Sequence, residues 1–474
     1  MNDNETPLAV DLDGTLIFSD MLFESLVRLL KKNMFYVFML PVWLLRGKAF
    51  LKQAIAERVK IDVTTLPYNY ELVDHLKLES AKGRPLYLVT ASNKLIAQPI
   101  CDHLGFFTGL YASDEQSNLK GKTKAELLNK VFGEKTYCYA GNDVSDLIVW
   151  QSAKSGILVS NNKALVEKAR KTAPIEREFT PPKASLKTAL KAIRVHQWVK
   201  NSLLFVPIFA AHKFTDVPLF LDVLLAAVAF SLCASSVYLL NDLMDIEADR
   251  HHKTKKNRPF ASGHLPIQFG LAGFPILFGV ALLLSLSLPL PFTISLIVYY
   301  IATSAYSFAL KQKLLIDVVV LAGLFTARII AGAAASGVLL SEWLLAFSMF
   351  FFLSLAMVKR YTELVYLNES GQTSTKGRGY RVTDIPIVSS MGIASGYISV
   401  LVFALYLNSQ AVTGLYAHPT LLWLLGPILL YWISRLWMLA QRGQMHDDPI
   451  VFAIRDRVSQ IMGLIIVVTF LAAQ

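Results

Sequence analysis

The sequence predicts an N-terminal α/β unit, a parallel sheet with a cap, followed by a C-terminal all-α polytopic membrane bundle of about nine transmembrane helices. Three observations lead there. Across 474 residues the apolar fraction is 54% and the charged fraction 17%, with a mean hydropathy of +0.45, a balance that calls for a large membrane portion. Before residue 180, short apolar runs end in polar residues and alternate with helix-like stretches. From Trp198 onward, long apolar segments follow one another across short loops.

In chain order, Met1 to Thr6 is polar and acidic and does not lead into an apolar core, so a cleaved signal peptide is not expected. Leu8–Val10 before Asp11, Leu86–Val89 before Thr90, and Thr136–Ala140 before Gly141 read as strands of a parallel sheet with crossover helices. Met34–Leu45 (MFYVFMLPVWLL) is a run of twelve apolar residues interrupted by Pro41, too short to span a bilayer. It reads either as a buried cap helix or as an interfacial segment resting the domain on the membrane. The charged stretch Lys163 to Lys191, with Pro174, Pro181 and Pro182, reads as a linker. The boundaries drawn are an α/β domain at 1–180, a linker at 181–196 and a membrane domain at 197–474. Nine apolar segments follow, near 198–212, 219–240, 266–288, 291–310, 314–336, 341–358, 387–408, 419–438 and 457–473, the first broken by Pro207.

Charge orients the bundle. Loops after the even-numbered segments hold sixteen basic residues: Arg250, Lys253, Lys255, Lys256, Arg258, Lys311, Lys313, Lys359, Arg360, Lys376, Arg378, Arg381, Arg435, Arg442, Arg455 and Arg457. The opposite connections hold Lys213 alone. The positive-inside rule then predicts a multi-pass protein of the plasma (inner) membrane with its N-terminal domain in the cytoplasm. The net charge of +11 would suit nucleic acid, but it is dispersed in these loops with no basic face or base-stacking module, so no nucleic-acid partner is expected. Cys101, Cys138 and Cys233 have neither disulfide nor zinc spacing, which fits a reducing compartment.

Two constellations carry chemistry. Asp11-Leu12-Asp13-Gly14-Thr15 places two carboxylates at a strand end, one to attack phosphorus and one to act as acid and base. Gly14 allows the sharp turn this requires. Thr90 can hydrogen-bond a phosphoryl group, and Lys124, with Lys122 as its competitor, can neutralise it. Gly141-Asn142-Asp143-Val144-Ser145-Asp146 offers oxygen ligands for Mg²⁺. Together these residues resemble the haloacid dehalogenase-like hydrolases over about 150 residues. The resemblance implies Asp11 as nucleophile, Asp13 as acid/base, Thr90 and Lys124 as phosphate contacts, and Asp11, Asp13, Asp143 and Asp146 around the metal. It departs at Asn142, where that family often has Asp.

The second constellation is Asn241-Asp242-Leu243-Met244-Asp245-Ile246-Glu247-Ala248-Asp249-Arg250. On a continuous helix Asn241, Asp242, Asp245 and Asp249 share one arc and Glu247 lies opposite. Three carboxylates so close repel unless a cation stands between them, and Mg²⁺ held there could grip a diphosphate. With the following basic loop (Lys253, Arg258) and Arg258-Pro-Phe-Ala-Ser-Gly, the motif resembles the UbiA prenyltransferase superfamily over roughly 185–474. Gln197-Trp198-Val199-Lys200-Asn201, Tyr306-Ser307 before Lys311 and Asp317, and Lys359-Arg360-Tyr361-Thr362-Glu363-Leu364 resemble the branch that transfers phosphoribose to decaprenyl phosphate. That resemblance implies phosphoribosyl pyrophosphate as donor and a polyprenyl phosphate as acceptor, with Asp242, Asp245 and Asp249 on Mg²⁺.

Lys359, Arg360 and Glu363 fall on one helix face, to hold a phosphate or to anchor the helix. Arg328, well inside an apolar segment, faces either a polar cavity or a structural partner. His446-Asp447-Asp448-Pro449 with Asp456 reads either as a second acidic cluster or as a solvated loop. Two other readings stay open: an aromatic prenyltransferase using a prenyl diphosphate, and a catalytically inactive membrane scaffold. Oligomeric state is also left open, a homo-oligomer included.

Overall fold

Strand β1 (Leu8–Val10) is buried on both faces, as expected where crossover helices cover a parallel sheet. With β2 (Leu86–Asn93), β3 (Gly109–Ser113), β4 (Cys138–Gly141), β5 (Ser155–Val159) and β6 (Ile175–Phe179) it builds a six-stranded sheet of order β3-β2-β1-β4-β5-β6. Every pairing is parallel. The computed structural model describes residues 6–115, 117–371, 378–408, 416–445 and 448–474. Lys376 of the basic loops and His446 and Asp447 lie outside the described residues. The chain forms two compact units, Met1–Arg194 with Tyr238–Pro275, and Val195–Val237 with Ile276–Gln474.

In the first unit, alternate residues of each strand feed opposite layers of core. Leu8, Val10, Leu88 and Ala140 pack with Leu72, Leu76 and Ile100 on one face. Ala9, Val89, Tyr139 and Leu158 pack with Leu128, Trp150 and Leu165 on the other. The chain leaves β1 towards β2 and β3, then returns to place β4 on β1's far side. That reversal opens a crevice at the strand ends where an open α/β sheet takes its ligand. Between β1 and β2, helices Met21–Lys32, Met39–Leu45 and Lys48–Ala56 form the cap, with its own small core of Leu29, Trp43, Ala54 and Ile55.

The stretch from Lys163 corrects the sequence reading. Lys163–Thr172 is a helix, capped by Asn162 and burying Leu165 and Ala169, and Ile175–Phe179 is edge strand β6. Its charge is that of an amphipathic helix and a protected sheet edge, not of a linker. Past Pro181 and Pro182, only Leu186–Ala192 is α-helical before residue 195.

The same unit includes residues 238–275. Arg250 donates to Glu24 at 2.5 Å, both side chains about 5% exposed or less. Arg28 pairs with Glu247 at 3.0 Å. Leu30 packs on Leu240 and Met244, with Leu26, Tyr36 and Phe274 beside them.

Seven helices among the described residues are long and apolar enough to cross a membrane, from Val217–Met244 to Pro419–Gln441. Pro449–Arg455 and Arg457–Ala473 form a pair bent by 82°, so the number reaches eight at most, not nine. The missing one is the first segment: Val195–Phe205 is 3₁₀ and the α-helix behind it, Val206–Ala210, has only five residues. Pro207 sits at the start of that helix, which ends before His212 at a φ of 54°. The 3₁₀ turn lies hard against the second unit's helix Ile316–Ser336, where a Cβ on Gly332 would meet the Leu204 carbonyl oxygen at 1.9 Å.

Candidate functional site

At the strand ends of the sheet, the Asp11 backbone N–H donates to Ala140 O and so ties the end of β1 to β4. Gly14 has a φ of +75°, and a Cβ there would lie 2.2 Å from Asn142 Nδ2, so conformation and space both require glycine. Asn142 Oδ1 accepts from the Thr15 hydroxyl at 3.0 Å, which seats the residue at the familial departure directly on the DxDGT turn.

Lys124 is buried and donates to Asp11 Oδ1 and to the Tyr139 hydroxyl oxygen, each at 2.8 Å. Lys122 is 82% exposed at its side chain and pairs with Glu126. Of the two competing lysines, the structure brings Lys124 to the aspartates. Tyr139 in turn donates to Asp146 Oδ1 at 2.8 Å. The other Asp146 oxygen accepts the N–H groups of Asn142 and Asp143, so this carboxylate holds the loop together. Asp143 is half-exposed and bonds Val144 N and Ser145. Asp13 accepts from Met21 N at 2.8 Å and from the Ser92 hydroxyl at 2.6 Å. Thr90 is fully buried, its hydroxyl accepting from Ser92 N.

Burial pushes Asp11 up to about 6, against the Lys124 ammonium that lowers it and with Asp146 adding to the rise. Burial, then the charges of Asp20 and Asp11, push Asp13 up to about 7. The carboxyl nearer neutrality is the one suited to give and take a proton.

Sequence reasoning missed two contributors here. Ser92 was legible, since residues i and i+2 of a strand share a face and Thr90 was already assigned. Lys52 was not. It reaches the site from the cap, donating to Ala91 O at 2.5 Å and to Asn118 at 2.9 Å. Burial lowers its pKa, opposed by the charges of Asp13 and Asp20.

The acidic motif at the end of Val217–Met244 departs from a continuous helix. The helix stops at Met244, Asp245 has φ −100° and ψ 7°, and a new helix runs Ile246–His251. The N–H of Asp245 still reaches Asn241 O and that of Asp249 reaches Asp245 O, so the break is mild. Asp242 and Asp249, both 3% exposed, meet on one atom: Arg258 Nη1 is 3.1 Å from Asp242 Oδ1 and 2.7 Å from Asp249 Oδ2. Arg194 adds a second guanidinium, 2.5 Å from Asp242 Oδ1 and stacked over the Tyr238 ring.

Burial raises the Asp249 pKa, opposed by Arg258 and reinforced by Asp242. Asp245 and Asn241 are half-buried and Lys253 is exposed. The donor set suits Mg²⁺, a hard cation that prefers carboxylate oxygens, and two of its members already share one positive point. Arg194 carried no motif. Its place in the charged approach to the membrane hid it. Among the described residues, Asp62, Glu247 and His251 are the three side chains whose ligand atoms come within 4.8 Å of one another.

In the second unit the predicted single basic face divides into two clusters. Lys200 and Lys359 both donate to Asp448 Oδ2, at 2.9 and 3.1 Å. Burial alone would raise Asp448, but the Lys359 and Lys200 ammonium groups hold it well below the usual carboxylate range. Arg360 is fully buried, 3.0 Å from Asp317 and hydrogen-bonded to Glu363, which also takes Arg378 at 2.7 Å. Tyr380 donates to Asp317 at 2.5 Å.

Arg328 donates to Asn201 at 3.0 Å, to Tyr299 at 2.8 Å and to Leu324 O, and it stacks over Phe230 and Phe325. Three of its five N–H donors thus have partners among the described residues. Tyr306 and Lys311 are half-buried. Asp456 pairs with Arg435 at 2.7 Å, apart from Asp448.

The UbiA prenyltransferase family profile matches residues 202–456. An uncharacterized protein, y4nM, of Sinorhizobium fredii is 36% identical over 474 residues, 99% of this chain and 92% of its own. The decaprenyl-phosphate phosphoribosyltransferase of Mycobacterium tuberculosis is 32% identical over 302 residues, 62% of this chain and 96% of its own. Among solved structures, a UbiA homolog from Archaeoglobus fulgidus bound to GPP and Mg²⁺ covers 60% of this chain and 96% of its own, at 13% identity and a TM-score of 0.44.

Proposed function

The chain belongs to the UbiA prenyltransferase family, and from that premise we propose that it transfers 5-phosphoribose from phosphoribosyl pyrophosphate to a polyprenyl phosphate. The observation that carries this is the meeting of Asp242 and Asp249 on a single cationic atom, in a chain similar over 302 residues to a decaprenyl-phosphate phosphoribosyltransferase.

In this reading Asp242, Asp245 and Asp249 hold Mg²⁺, with Asn241 beside them. When bound, the ion supplies positive charge for a departing diphosphate. Arg258 and Arg194, which neutralise the acids in the structure, turn to the diphosphate oxygens, with Lys253 at the mouth of the loop. An oxygen of the lipid phosphate bonds the sugar's anomeric carbon as the carbon–oxygen bond to diphosphate breaks. Lys200, Lys311, Lys359, Arg360 and Tyr306 are assigned to the phosphates of donor and acceptor, and Arg328 to holding Asn201 and Tyr299 in place. The basic loops support a cytoplasmic N-terminal domain at the plasma membrane.

The soluble domain is proposed as a haloacid dehalogenase-like phosphatase that removes the 5-phosphate of the product. Asp11 attacks phosphorus, Asp13 protonates the leaving ribose oxygen and then takes a proton from water, and Lys124 and Thr90 hold the phosphoryl oxygens. The burial that sets Asp13 near 7 supports that assignment.

Incubation of the full chain with labelled phosphoribosyl pyrophosphate, polyprenyl phosphate and Mg²⁺ tests the first step; labelled lipid is expected, and its absence rejects the transfer. Asp11→Asn tests the second: phosphorylated lipid should accumulate, and an unchanged product removes the domain's proposed role.

A further inference from the structure

We propose that residues 34–45 and the cationic hollow behind them form one lipid-docking surface, in which the apolar segment enters the bilayer interface and the hollow takes the phosphate of an anionic lipid headgroup. The segment bears no charge over twelve residues. Of its large side chains only Trp43 is buried, while Phe35 is 74%, Phe38 73% and Leu45 89% exposed. An aqueous surface rarely leaves so contiguous an apolar run uncovered. Its inward side is fixed, because Tyr36, Leu40 and Trp43 pack on Leu29 and Ile55 of the cap. The outward side chains are therefore held out by a folded scaffold.

Its depth points to the occupant. Tyr36 packs with Leu26 and Leu30 against Leu240 and Met244, the last turns of a span-length helix, and against Phe274 of the next. The segment thus begins beside the last turns of one span and about two turns into the next. Twelve residues rise only about 18 Å as a helix, short of the roughly 30 Å apolar thickness, so the segment lies along the interface. Beside it is a hollow of about 480 Å³ with five cations, Arg28, Lys31, Lys32, Arg58 and Lys60, against Glu57 and Glu247. Arg58 stands 5.0 Å over the Trp43 ring and joins the hollow to the apolar segment. A molecule with acyl chains on a phosphate satisfies both halves at once. A free phosphate satisfies only the hollow, and an apolar protein face only the segment.

The test uses the full chain, one copy per nanodisc of phosphatidylcholine with phosphatidylglycerol. Spin labels at Phe38→Cys and Leu45→Cys, with Lys130→Cys as the aqueous reference, report access to oxygen and to a nickel chelate. Labels at 38 and 45 should favour oxygen over the chelate several-fold relative to 130, and the Lys31→Gln/Lys60→Gln variant should retain about tenfold less phosphatidylglycerol through detergent extraction. Labels at 38 and 45 as open to the chelate as 130 would overturn the proposal, as would dipolar coupling between copies when several are reconstituted into liposomes of the same lipids. Inorganic phosphate displacing phosphatidylglycerol at equal concentration would overturn the headgroup assignment.

Discussion

Asp13→Asn should stabilise the first unit, and by an amount that grows with pH. The Asp13 carboxyl titrates near 7 in the folded protein and near 4 in an unfolded chain. Its folded pKa is the higher one, so the native state binds this proton more tightly. Its contribution is most favourable below about 4 and is lost as pH rises through about 7. Between pH 5 and pH 8 a single site with these two values costs the native state about 2.6 kcal/mol more. Asparagine removes that cost while keeping the local bonds: Oδ1 still accepts from Met21 N, and Nδ2 can donate to the Ser92 oxygen.

The assay is hydrogen exchange of β1 and β2 amides in the full chain, variant against wild type at each pH. The variant's gain in protection should be roughly 10- to 100-fold larger at pH 8 than at pH 5. An equal gain at both pH values would refute the argument that burial and the neighbouring aspartates, Asp20 and Asp11, hold this proton.

Lys124→Ala leaves Asp11 beside Asp146 without its counter-ion; Asp11 should rise further, moving the acid limb of phosphatase activity to higher pH and lowering turnover about a hundredfold or more. Gly14→Ala meets both a positive φ and the Asn142 side chain; it should cost about 1–3 kcal/mol in β1 exchange protection and abolish aryl phosphate hydrolysis. Glu24→Ala or Arg250→Ala strands one charge of a buried pair; each should destabilise the unit by about 3–5 kcal/mol in denaturant unfolding, and the double variant should recover part of it.

Much of the α/β unit was legible because strand period and polar strand ends are local signals. β1, β2 and β4 fall where short apolar runs end in Asp11, Thr90 and Gly141, although β2 continues three residues past Thr90 to Asn93. Edge strand β6 was not legible: Ile175–Phe179 is charged because its faces are exposed, and charge reads as linker. The long spans were recognisable from apolar length. The first segment failed because Pro207 and a 3₁₀ path wedge it against Gly332, a packing fact with no trace in hydropathy.

At the sites, residues spaced by strand or helix period could be assigned, but their partners could not. Arg194 reaches Asp242 over 48 residues, Lys52 reaches Asn118 over 66 and Asp448 reaches Lys200 over 248. The expected arc of Asn241, Asp242, Asp245 and Asp249 assumed an unbroken helix. The helix breaks at Asp245 instead, and Asp242 and Asp249 converge on Arg258 across the break.

The most direct measurement sets two donors against each other on the purified full chain with Mg²⁺: phosphoribosyl pyrophosphate with polyprenyl phosphate, and a prenyl diphosphate with an aromatic acid. Label from the first donor should appear in lipid and be lost in Asp242→Asn, with none from the second in the aromatic acid. Label carried only by the prenyl chain into the aromatic acid would contradict the proposed transfer.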